Sequence, residues 1–292
     1  MTAAGSAPGV GVELMITAAV PTPYGYVFRA EGNSLARWRA GLPIGRHESV
    51  QSPCIAYIVR HPAAGVILID TGLHPDAQRD LRRDFGRPMS LLFRSLRPAA
   101  NDFSAELRAR GVQPGQVQSV LMTHLHVDHT SGMRLLPNAT FTCSRPEWSA
   151  AHGRAASARG YVSHHLPPSE RMDLLDFARD GEAFGAFTRT IDLLGDGTIR
   201  LISTPGHTAG HLSVLLSLAD GKSMLVVGDA AYTIRNIREG ILPMLTWDDD
   251  ASLRTLAELR AFRRENPGTA VVPSHDPDAW RGQGTHPPTE LP

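Results

Sequence analysis

Thr123-His124-Leu125-His126-Val127-Asp128-His129-Thr130 puts three imidazoles and a carboxylate within six consecutive positions. The run before it, Val117-Gln118-Ser119-Val120-Leu121-Met122, is mostly apolar and reads as a buried strand. Side chains two residues apart leaving a strand point the same way, so His124 and His126 can converge on one ion. Once the chain has turned, Asp128 and His129 can face a second ion beside the first. Imidazole with carboxylate suits zinc and related divalent metals.

Three further segments repeat the arrangement: Thr204-Pro205-Gly206-His207-Thr208-Ala209-Gly210-His211, Val226-Val227-Gly228-Asp229-Ala230-Ala231-Tyr232, and Val271-Val272-Pro273-Ser274-His275-Asp276. Each follows an apolar, β-branched run and ends it on a ligand-type residue, where a rigid scaffold holds a side chain into a cleft. Together with Asp70 in Leu68-Ile69-Asp70-Thr71-Gly72, the ordered set resembles the metallo-β-lactamase superfamily. The resemblance runs from Asp70 to His275, and the HxHxDH run with its downstream His, Asp and His is its specific part.

The resemblance implies an α/β fold, the four-layer αβ/βα sandwich, with metals at one edge between two sheets. It also implies two divalent ions, one held by His124, His126 and His207, the other by Asp128, His129 and His275, with Asp229 bridging. Zinc is the default, and manganese, iron or cobalt also suit the donors. A water between such ions has its pKa lowered from about 15.7 toward 7, giving a hydroxide nucleophile at neutral pH. No GxSxG nucleophile elbow is present. Redox diiron relatives carry Glu where this chain has His126, which favours hydrolysis. Asp70 is expected behind the ligands, orienting their loop.

Basic and acidic residues balance at 29 each, so no overall positive field draws nucleic acid or an acidic membrane. Two cysteines, Cys54 and Cys143, sit beside strand-like sequence and read as buried free thiols rather than a disulfide framework. The N-terminus lacks a charged region followed by a long apolar core, and no run reaches a membrane span, so the expected home is the cytoplasm. Residues 1–12 are rich in Ala, Gly, Ser and Pro and are expected to form a disordered tail. Residues 13–292 are expected to form one domain. Val12 to Ala18, Ile55 to Val59 and Gly65 to Ile69 read as strands. Asn101 to Arg110 and Ser252 to Arg264 read as helices, the latter with Leu253, Leu256, Leu259 and Phe262 as its core stripe.

Substrate depends on what surrounds the metals. Tyr232, three positions after Asp229, and His275-Asp276 resemble the N-acyl-homoserine lactonase branch. The resemblance implies that the tyrosine donates to the lactone carbonyl or to the leaving ring oxygen. A phenol suits this, since it stabilises charge on oxygen without titrating at neutral pH. Asp128 is a second catalytic candidate, taking the proton of the attacking water and passing it to the alkoxide. Phe85, Met89 and Phe93, spaced at four, are candidates for an acyl-chain groove or for ordinary helix packing. Residues 148–191 are longer than a minimal lactonase needs and read as a lid or a homodimer contact, with His164 and His165 as surface residues. The reading is therefore a metal-dependent hydrolase that opens N-acyl homoserine lactones. The alternatives are a glyoxalase II-like thioesterase, an aryl- or phosphotriesterase, and last a non-catalytic metal-binding protein. The tail from Asp276 to Pro292 carries only Arg281 as a basic residue, which disfavours a glutathione site.

Overall fold

The computed structural model describes residues 9–29, 49–276 and 278–279. Two sheets face each other. One orders its strands β4-β1-β2-β3-β5-β6-β7: β1 Gly11–Pro23, β2 Ser49–His61, β3 Gly65–Ile69, β4 Arg97–Pro98, β5 Ser119–Leu121, β6 Thr140–Ser144 and β7 Met172–Leu175. The other runs β13-β12-β11-β10-β9-β8: β8 Glu182–Phe184, β9 Phe187–Asp192, β10 Ile199–Ser203, β11 Leu212–Ser217, β12 Ser223–Gly228 and β13 Ala270–Pro273. Strands β3, β5, β6 and β7 pair in parallel, as do β12 and β13, and the remaining pairings are antiparallel.

Strand alternation explains the layering. Leu14, Ile16, Ile55, Tyr57 and Ile69 of the first sheet pack against Leu201, Val214, Leu216 and Val226 of the second. The intervening Met15, Ala56, Ile58 and Leu68 point the other way, onto Phe103 and Leu107 of the Phe103–Ala109 helix. On the far side, Ile202, Leu225 and Val227 meet Leu256, Leu259 and Phe262 of the Asp249–Glu265 helix. Strands covered on both faces read as near-continuous apolar runs, which is why β2 and β3 show few polar breaks. The result is the expected four-layer sandwich. Cys54 and Cys143 are free and buried. Among the described residues no helix is long and apolar enough to cross a membrane.

Three expectations need correction. Residues 1–8 of the expected tail lie outside the described residues, but Val10 is buried and bridges Leu218, and β1 already begins at Gly11. In the Asp249–Glu265 helix Leu253 is 45% exposed. A strict three-residue repeat walks around a 3.6-residue helix, so Ser252 and Thr255 replace Leu253 on the buried face. Segment 148–191, expected as a lid or homodimer contact, supplies the edge strands β7 and β8 of the two sheets and most of β9, which pairs with β8.

Candidate metal centre

Every candidate ligand lies just past a strand end: the loop from Thr123 after β5, His207 after β10, Asp229 after β12 and His275 after β13. These strands come from both sheets, so the site straddles the seam between them. Gly228 makes the turn into Asp229 at φ 62°, and a Cβ there would meet His211 Nε2 at 2.7 Å, so only glycine fits.

Two groups of side chains converge. His124, His126 and His207 each bring a ring nitrogen within 4.8 Å of the others, and Asp128, His129 and His275 bring a carboxylate oxygen and two ring nitrogens equally close. In the first group His126 Nδ1 lies 3.0 Å from His207 Nε2. Asp229 lies between the groups, Oδ2 3.6 Å from His207 Nε2 and 3.1 Å from His275 Nε2, Oδ1 3.4 Å from His129 Nε2. Among the described residues, His124 Nε2 and Asp229 Oδ1 are buried without a hydrogen-bond partner. Such a group costs about 1–3 kcal/mol, a cost that coordination of a divalent ion would remove, so the donor set fits one.

The second ring nitrogens are anchored from behind. Asp70 accepts from the Thr123 amide and hydroxyl, both at 2.7 Å, and faces His129 Nδ1 at 2.8 Å. It holds this position at φ 57°, and no other described non-glycine residue has positive φ. His275 Nδ1 lies 3.1 Å from the Pro53 carbonyl. Asp70 therefore lies behind His129 and at the start of the loop that carries it.

Electrostatics separate the imidazoles. Burial, with neighbouring imidazoles adding to it, holds His124 and His207 well below their usual pKa, leaving a lone pair available. Burial also works against a charge on His129, but Asp70, then Asp229 and Asp128, outweigh it and hold its pKa well above the usual value. Burial would raise Asp229, yet His275 and His129 bring it well below the carboxylate range.

Several supporting residues escaped the sequence reading. His211 was visible in the motif but had no role assigned. Burial pushes its pKa down to about 3, so its neutral Nε2 accepts from the Asp229 amide at 3.0 Å. Glu147 is fully buried and accepts from the Leu125 amide (2.9 Å), the Gly210 amide (3.1 Å) and the Tyr161 hydroxyl (3.1 Å). It clamps the HxHxDH loop to the His207 loop, and a lone glutamate in a short helix carries no sequence signal of this. His165, expected at the surface, is 1% exposed. Its ring bridges Thr130 Oγ1 and the Asp84 carbonyl, each at 3.0 Å. Asp84, His164 and His165 have ligand-type spacing, but Asp84 is already engaged by Ser131 and Arg134. That network is a buried polar tie.

Above the two groups opens a cavity of about 320 Å³. Val20, Met89, Leu92 and Phe93 form an apolar wall, and Asp128, His207, Asp229 and His275 line its floor. Phe85 does not reach the cavity: it is buried under Phe93, ring centroids 5.1 Å apart. The helix carrying these residues, Leu81–Leu92, kinks at Gly86, which rotates Phe85 away from Met89. Tyr232 lines the cavity and is 5% exposed. Its ring stands edge-on to His207 at 5.6 Å and His275 at 5.0 Å, and it stacks on Tyr26 at 6.2 Å. From the 148–191 segment, only Ala158 to Tyr161 line the cavity.

Comparison with known proteins gives a consistent picture. The sequence profile of the metallo-beta-lactamase superfamily matches residues 51–275. The N-acyl homoserine lactonase AttM of Agrobacterium fabrum is 32% identical over 238 residues, spanning 81% of this chain and 86% of that protein. A Bacillus thuringiensis AiiA mutant with N-decanoyl-L-homoserine bound at its active site superposes with a TM-score of 0.73 at 19% identity, covering 95% of this chain and 97% of that one. An N-acyl homoserine lactone hydrolase with N-hexanoyl-L-homoserine bound at its catalytic metal centre gives 0.72 at 18% identity, covering 95% and 97%.

Proposed function

Because the chain belongs to the metallo-β-lactamase superfamily, we propose that it is a metal-dependent hydrolase that opens the lactone ring of N-acyl homoserine lactones. One observation carries this reading: two imidazole–carboxylate groups sharing Asp229 form the floor of a cavity whose wall is apolar. His124, His126 and His207 would hold one ion, Asp128, His129 and His275 the other, and Asp229 would bridge. Zinc best suits these donors, with manganese, iron or cobalt as alternatives. When bound, such a pair supplies an acidified water and a Lewis-acid contact for the carbonyl.

The chain's own residues do the rest. Tyr232 donates from its hydroxyl to the lactone carbonyl or the departing ring oxygen. Burial, then Tyr26 and the two carboxylates, holds its pKa well above the usual value, so the donor proton stays on. Asp128 takes the proton released by water and returns it to the alkoxide, help typically worth about 10²–10⁴-fold. Met89 and Phe93 receive the acyl chain, and an apolar wall gains about 25 cal/mol for each Å² it covers.

The test is initial-rate acid release by the metal-replete protein. Its substrates are short- and long-chain N-acyl homoserine lactones, a simple γ-lactone, S-lactoylglutathione and an aryl ester. The expected result is kcat/KM at or above about 10⁴ M⁻¹s⁻¹ on acyl homoserine lactones, well above the other substrates. Fast thioester or aryl-ester turnover beside slow lactone opening would keep the hydrolase and discard the lactone.

A further inference from the structure

Among the described residues, Arg159, Asp128 and Asp229 are the Lys, Arg, Asp and Glu side chains that line the cavity, and the two aspartates belong to its floor. Among the described residues Arg159 makes no ion pair or hydrogen bond, so its N–H donors are not committed. Yet the side chain is held in place. Its guanidinium lies 4.0 Å over the ring of Trp247, which also lines the cavity. Trp247 in turn donates its amide to the carbonyls of Gly206 (2.8 Å) and His207 (3.2 Å). Stacking on an aromatic face leaves the in-plane N–H groups of a guanidinium available.

The next residue fixes the depth. Gly160 at φ 96° lies so close to His126 that a Cβ there would meet His126 Cδ2 at 2.9 Å. The Gly160 carbonyl also accepts from the Val127 amide at 3.0 Å. The chain at Arg159 is thus tied through Gly160 to a candidate ligand, and Arg159 itself lines the cavity. On the acyl arm of a lactone held over the floor, carbonyl oxygens would be the first groups able to accept a hydrogen bond from such a donor.

We propose that Arg159 is a specificity residue that donates to a carbonyl oxygen on the acyl arm, so that the site prefers lactones bearing that carbonyl over plain alkyl lactones. This rests on the lactonase reading above. Two carbonyls share the chemistry, the amide common to all N-acyl homoserine lactones and the additional one of 3-oxoacyl chains.

The experiment compares fully metal-loaded wild type, Arg159→Leu and Arg159→Lys. The three substrates are matched in length: a γ-alkyl lactone without an amide, an N-acyl homoserine lactone and its 3-oxo counterpart. A hydrogen bond from a charged donor makes kcat/KM fall about tenfold more, in Arg159→Leu, on the substrates whose carbonyl is contacted. The loss should lie mainly in KM, and Arg159→Lys should recover part of it. A step between the alkyl and acyl lactones assigns the amide, and a step only at the 3-oxo substrate assigns the chain. An equal factor on all three, including no loss, overturns the assignment while leaving the lactonase reading intact. Wild type that opens none of the three overturns both. Unchanged Tm and metal content in the variants exclude misfolding as the cause.

Discussion

Tyr232 makes T-shaped contacts with two candidate ligands and stacks on a second tyrosine, so its ring is held by packing. Tyr232→Phe removes one oxygen and keeps that packing. The variant should bind two metal equivalents by elemental analysis and lose roughly tenfold to a hundredfold in kcat, somewhat less than loss of a dedicated oxyanion donor. Equal kcat would leave Tyr232 as a packing residue. The residue scale is also where the sequence was least legible. Asp70, His124, His126, Asp128, His129, His207, Asp229 and His275 stand out because they follow strand-like runs in a fixed order, four of them within one six-residue motif. Glu147, Tyr161, His165 and Tyr26 do not, because what they touch lies far away in sequence and leaves no local pattern.

At the scale of elements, the Leu81–Leu92 helix links the apolar wall of the cavity to the HxHxDH loop. Its buried Asp84 accepts from Ser131 Oγ at 2.5 Å and pairs with Arg134, both just past His129. Removing the carboxylate leaves those donors unanswered, and Asp84→Ala should cost about 2–4 kcal/mol in urea unfolding at unchanged m-value. Burial would raise the Asp84 pKa, but His165, Ser131 and Arg134 outweigh it and lower it. A depressed folded pKa stabilises above the unfolded carboxylate value of about 3.9 and is lost as pH falls through the lower folded value. The gap between wild type and variant should therefore be full at neutral pH and shrink below about pH 4. A gap independent of pH would contradict this account. The strands were legible from apolar runs, whereas the kink that turns Phe85 from the cavity was not, since spacing at four assumes one continuous helix.

For the whole molecule, the seam between the sheets is where metal and stability meet. Stripping the ions with a chelator should lower Tm by roughly 10 °C, the equivalent of about 4 kcal/mol for ligand at a thousand times Kd. Adding zinc back should restore it. A Tm indifferent to verified metal loss would mean that the buried polar atoms are satisfied without ions. The strand order adds a timetable. The HxHxDH loop follows β5, midway along the first sheet, whereas His275 follows β13, which docks in parallel beside β12 at the edge of the second. A growing polypeptide therefore displays the imidazole-rich loop to the cell's metal pool long before His275 leaves the ribosome. Early capture would be incomplete and exchangeable, and the docking of one short edge strand would convert it into a closed centre.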